Sequence, residues 1–156
     1  MNKKELILLS KTLNNILNSE KDSTLKFKYV LIKMNKAIKS EIITLTKFEE
    51  DINAVLKPFD TDKIAVYEKY GEPIENGFKL LPNNVSKANK ELNELVEKYK
   101  DLFEENSKRW KEYSTLLEEA VDVSLSKIPL SLIPDWIEPK DLTILSNLDL
   151  IDESES

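Results

Sequence analysis

Two long stretches, residues 24–57 and 84–119, place apolar residues at every third or fourth position, and the chain between them holds the only two glycines of its 156 residues. Apolar groups at that spacing share one face of an α-helix. Sandwiches and barrels need many glycine-bearing turns, which two glycines do not supply. The pattern therefore predicts a mainly α protein. Residues 24–57 and 84–119 are expected to form a long antiparallel helical hairpin, flanked by a short N-terminal helix, a minor β element and a short C-terminal helix.

The helix over residues 3–18 carries Leu6, Leu9, Leu13, Ile16 and Leu17 on one stripe, and Ser19, Asp22 and Ser23 are the cap-type residues expected to end it and start the next helix. The next helix has a strict 3-4 repeat of Leu31, Met34, Ile38, Leu45, Phe48, Ile52 and Val55, lapsing only at Glu41, where Ile42 stands beside the gap. A sustained repeat of that kind describes a seam against a partner helix. Pro58 ends or kinks this helix, because it lacks an N–H and clashes with the preceding turn. Asp60 or Thr61 is expected to cap a short helix through Tyr70, which Gly71 closes as a left-handed residue with Pro73 beyond it. Asn76-Gly77 is the strongest turn signal in the chain, with Phe78–Leu81 as a brief strand.

Asn83 or Asn84 caps the third long helix, whose seam reads Ala88, Leu92, Leu95, Tyr99, Leu102, Phe103, Trp110, Tyr113 and Leu116, with a slip of register near Asn106. Straight, such a helix is about 54 Å long. Beyond it Val121, Val123 and Leu125 alternate with polar residues as in a half-buried strand. That strand and Phe78–Leu81 would lie at opposite ends of the helix. Either the helix bends near Asn106 or the second strand pairs elsewhere, as with a second copy in a homo-oligomer. Pro139 is placed to open a last helix carrying Leu142, Leu145 and Leu148. Residues 1–151 read as one helical domain and 152–156 as a frayed acidic tail.

Charge is unevenly spread. Residues 1–57 hold 11 lysines against 7 acids, net +4, and residues 58–156 hold 12 basic against 22 acidic groups, net −10. Lys26, Lys28, Lys33, Lys36 and Lys39 fall in a run, residues 23–40, with no acid, and Phe27 and Tyr29 lie among them. Basic groups interleaved with aromatics suit nucleic acid, but the net charge of −6 argues against it. The simpler expectation is internal: an antiparallel hairpin brings these lysines beside Glu104, Glu105, Glu112, Glu118 and Glu119. If they are not so paired, they and Trp136, which stands in a proline-punctuated segment, are the candidate contacts with a partner.

With no His and no Cys, the usual general bases and soft metal ligands are missing, and neither a nucleophile elbow nor a phosphate loop is present. Asp60 and Asp62 form a D-x-D best explained by capping. No catalytic residue, metal site or cofactor is expected. No apolar run approaches the length of a membrane span, and the four-residue run Leu6–Leu9 is too short for a signal peptide.

The order of punctuation is distinctive. A short leucine-rich helix is followed by Lys26-Phe-Lys-Tyr, Tyr67-Glu-Lys-Tyr-Gly-Glu and Glu75-Asn-Gly, then a Glu/Lys-rich helix, Val121-Asp-Val-Ser-Leu, Lys127-Ile-Pro-Leu and a closing Pro-Lys-Asp-Leu. In this the chain resembles an uncharacterised family of small helical proteins encoded by bacteriophages and prophages. The turn from Glu72 to Gly77 is shorter than in that group, and no functional residue carries over. The resemblance implies a viral setting, in the host cytoplasm or the virion and not secreted through a signal peptide. The leading expectation is a non-catalytic protein that binds phage or host proteins, structural or in assembly. The alternatives are an inhibitor of a host enzyme or defence protein acting through the acidic surface, and nucleic-acid binding through Lys26–Lys39.

Overall fold

The computed structural model describes residues 1–154. Its regular elements, in chain order, are α1 (Lys3–Leu17), α2 (Leu25–Ala54), α3 (Lys57–Tyr70), β1 (Gly71–Ile74), β2 (Gly77–Leu80), α4 (Val85–Lys98), α5 (Lys100–Leu117), β3 (Ile128–Pro129), α6 (Pro139–Asn147) and β4 (Ile151–Asp152). The protein is mainly α with a minor β component. Where one domain over residues 1–151 is expected, the chain divides into two compact units: residues 1–47 with 114–156, and residues 48–113.

In the first unit, α1 begins with a reciprocal cap. The Asn2 side chain accepts from the Glu5 N–H, and the Glu5 carboxylate accepts from the Asn2 N–H. Leu6, Leu9, Leu13 and Ile16 then lie fully inside, as their stripe requires. They share one core with Phe27, Leu31, Met34 and Ile38 of α2 and with Ile128, Ile137, Leu145 and Leu150 from the C-terminal part of the chain. The start of the α2 seam thus packs on α1 and the C-terminal segment. Thr24, and none of the three expected cap residues, caps α2 by accepting from the Phe27 N–H.

The alternating segment Val121–Leu125 is half-buried against this core but is not a strand of a ladder. Its hydrogen bonding to the N-terminus is one bridge, Asn2 to Ala120, with the Val121 N–H donating to the Met1 carbonyl. Burial of alternate side chains produces the same period as sheet pairing, which is why the sequence suggested a strand. The first unit's ladder is short and parallel, Ile128 and Pro129 beside Ile151 and Asp152. Asp152 is therefore not part of a frayed tail: its carboxylate also accepts from the Ser154 N–H and hydroxyl. Residues 155–156 of the expected tail lie outside the described residues.

In the second unit, α3 packs on α4, and the antiparallel β1–β2 hairpin joins them. The α3 start differs from expectation. Its cap position is Leu56, and Pro58 occupies the first turn, where its missing N–H costs nothing. Gly71 ends α3 with extended backbone, φ −129°, not left-handed. Glycine is needed there for space: a Cβ would sit 2.8 Å from the Tyr67 carbonyl oxygen and 3.0 Å from that of Lys79. The positive φ is at Gly77, +144°, following the two-residue turn Glu75-Asn76.

The expected helix over 84–119 is interrupted at Tyr99, seven residues before the predicted slip. Tyr99 has φ −101° and ψ 16°, and its main chain still bonds to Leu95 and Phe103, so α4 and α5 join through a distortion and not a loop. Asn106, at the predicted slip, instead donates from Nδ2 at 2.9 Å to the Ile52 carbonyl in the last turn of α2, which also accepts from the Val55 N–H. The second long stretch is thus two helices, α4 and α5, in place of one straight rod. Of these seam positions, Leu31, Met34, Ile38, Leu45, Ile52 and Tyr113 are buried, while Val55, Leu92, Leu95, Tyr99, Leu102, Trp110 and Leu116 are half-buried and Phe48 is exposed.

Candidate interaction surface on helix α2

Three phenol–carboxylate contacts hold the thinly packed second unit. Tyr113 donates to Glu49 at 2.7 Å, Tyr70 to Glu91 at 2.9 Å, and Tyr99 to Asp62. Burial first, and the Glu49 carboxylate second, push the Tyr113 hydroxyl well above the ordinary phenol range. For Tyr99 the order is reversed, with the Asp62 hydrogen bond the larger cause of an upward shift. Lys69 reaches Glu91 at 3.0 Å and lowers its carboxyl pKa. These carboxylates join helices. Asp62, half of the D-x-D, is held by Tyr99 and by Lys98 at 3.6 Å. Among the described residues no group of three or more acidic side chains is arranged to hold a metal ion.

The lysine run has a different character. Its helix forms because Leu25–Ala54 contains neither Gly nor Pro and carries an apolar stripe. One face, with Phe27, Leu31, Met34 and Ile38, lies in the core of the first unit. Phe27 is thus a core residue and not an aromatic offered to a ligand. On the other side, Leu25, Tyr29, Ile32, Lys36, Lys39 and Ile43 are spaced 4-3-4-3-4, a second stripe offset from the first. Its apolar members are 83% (Leu25), 65% (Tyr29), 50% (Ile32) and 57% (Ile43) exposed. In heptad terms these residues alternate between positions d and a, beginning with Leu25 at d. Lys26 and Lys33 then occupy e, and Lys28 occupies g. The basic groups lie along both margins of the stripe and at its middle.

All five lysines are exposed, and none makes an ion pair with a described residue. The expected internal pairing with the acidic helix is not formed. Glu105 pairs with Arg109 on its own helix at 2.8 Å, and Glu119 pairs with Lys3 at 3.5 Å. The seam of residues 27–38 faces α1 and the C-terminal segment. Along one side of the stripe, α1 and α2 leave a groove of about 340 Å³ whose lining includes Ser10, Asn14, Ile32, Lys36, Lys39 and Ile43. An Asn35–Asn14 side-chain hydrogen bond of 3.2 Å joins the two helices there.

Trp136 is placed differently from the lysines. Its indole N–H donates to the Asp22 carbonyl at 2.7 Å, and its ring packs on the first unit's core, so it ties the C-terminal segment to the turn before α2. Leu25, Ile32 and Ile43 were not singled out from the sequence, although their signal was present. Two interleaved 3-4 repeats run along α2, and the stronger one masks the other.

No family model, curated protein or solved structure matches this chain. No helix among the described residues is long and apolar enough to cross a membrane.

Proposed function

We propose that this chain is a non-catalytic protein-binding protein with a structural or assembly role in a bacteriophage virion. The observation that carries the binding role is the outer face of α2. There, Lys26, Lys28 and Lys33 flank a stripe of exposed Leu, Tyr and Ile side chains that Lys36 and Lys39 interrupt, and none of the five forms an ion pair with a described residue. Exposed apolar groups aligned on one helix face and rimmed by charge are the composition of a recognition surface. In the second unit the carboxylates of Glu49, Asp62 and Glu91 are engaged in joining helices. The viral setting rests on the resemblance in the order of motifs.

The test is capture with the tagged full chain from phage-infected cells, followed by mass spectrometry of purified particles. The proposal expects a phage protein retained in near-stoichiometric amount and the chain present in particles. Recovery of the chain alone from cells, together with its absence from particles, would refute the role.

A further inference from the structure

We infer that the outer face of α2 receives an acidic amphipathic helix, packed on it as the second strand of a short coiled coil. The inference rests on the protein-binding reading above and specifies its partner.

The register is the first reason. Leu25, Tyr29, Ile32, Lys36, Lys39 and Ile43 keep the alternating spacing of a and d positions over five helical turns, about 27 Å. The inner residues Phe27, Leu31, Met34 and Ile38 occupy c and f of the same heptads, so filling the core leaves the outer seam untouched. A helix of about 20 residues with apolar a and d positions matches that length.

Charge selects the kind of helix. Between Ser23 and Ser40 the chain has five lysines and no acid. In a coiled coil the e and g positions choose the partner, so lysines there call for glutamates opposite. Lys36 and Lys39, at a and d, repeat that preference inside the seam. A second copy docked by the same face would bring five lysines from each chain together, a like-charge contact that disfavours the homodimer. A duplex or a bilayer offers negative charge, but neither makes use of a heptad register.

The experiment uses the full chain and two synthetic helices of about 24 residues. Both carry Leu at a and d; one has Glu at e and g, the other Lys. Binding is followed by fluorescence anisotropy, and the proposal expects the Glu helix to bind with micromolar affinity while the Lys helix does not. Lys28→Glu with Lys33→Glu is expected to weaken the Glu helix at least about tenfold and to admit the Lys helix. Tyr29→Glu with Ile32→Glu is expected to abolish binding of both, and circular dichroism checks that each variant stays folded. Equal affinity for the two helices would overturn the inference. So would Glu-helix binding unaffected by these substitutions, or tighter binding to a 20-base oligonucleotide or to phosphatidylglycerol vesicles. Capture from infected cells separates the two proposals. A partner retained equally by wild type and by the Tyr29→Glu, Ile32→Glu variant leaves the protein-binding role standing and removes this site, whereas no partner with wild type removes the role itself.

Discussion

Neighbouring residues on α2 should respond in opposite ways to truncation, because the helix has one face in the core and one in solvent. Leu31 is fully buried among α1, α2 and C-terminal side chains, and Ile32 is half exposed. Leu31→Ala removes a buried isobutyl group and leaves a cavity between elements that cannot easily collapse, a loss of about 2–5 kcal/mol. In a chain of this length about 3 kcal/mol lowers Tm by about 6–12 °C. Ile32→Ala removes a side chain that already meets water, so its effect is expected within about 0.5 kcal/mol. Thermal unfolding by circular dichroism, with urea midpoints as a check, measures both. Equal losses, or a larger loss at Ile32, would refute the two-faced assignment of α2.

Two other perturbations probe the second unit. Gly71→Ala places a methyl against the Tyr67 and Lys79 carbonyl oxygens. Both are main-chain atoms, so the α3 end or the hairpin must shift; a loss of about 1–3 kcal/mol is expected by urea unfolding, and an unchanged midpoint would contradict the close approach. The Tyr113 phenol, ordinarily near pH 10, is raised in the folded protein by burial and by Glu49. Its contribution to stability is therefore complete below pH 10 and is lost as pH rises beyond it. Unfolding midpoints of wild type and Tyr113→Phe should diverge least above pH 11, and a difference independent of pH would count against the assignment.

The sequence made the helices legible wherever a stripe was strong. The repeat of α1 and the inner repeat of α2 point to the residues now in the core, and Asn76-Gly77 marks the hairpin turn. Partners were not legible, because a 3-4 repeat states that a face is buried without naming what covers it. Leu31 and Leu92 carry the same signal, yet the first lies on α1 and the C-terminal segment and the second on a helix packed against α3. Gly71 illustrates the same gap: spacing suggested a left-handed cap, whereas the requirement is steric and comes from the carbonyl oxygens of Tyr67 and of Lys79, the latter eight residues away across the hairpin. The candidate surface was legible as charge through its lysines. Its apolar half was hidden, since Leu25, Ile32 and Ile43 are indistinguishable from core residues until the first stripe has been assigned.

The central claim is that the lysine face of α2 points outward and serves a partner instead of the fold. Its most direct test is the double reversal Lys36→Glu, Lys39→Glu, with Tm and partner capture measured on the same preparation. An outward face predicts Tm within about 2 °C of wild type, as expected of exposed charges, together with loss of the captured partner. A fall in Tm of more than about 5 °C, or undiminished capture, would contradict the claim.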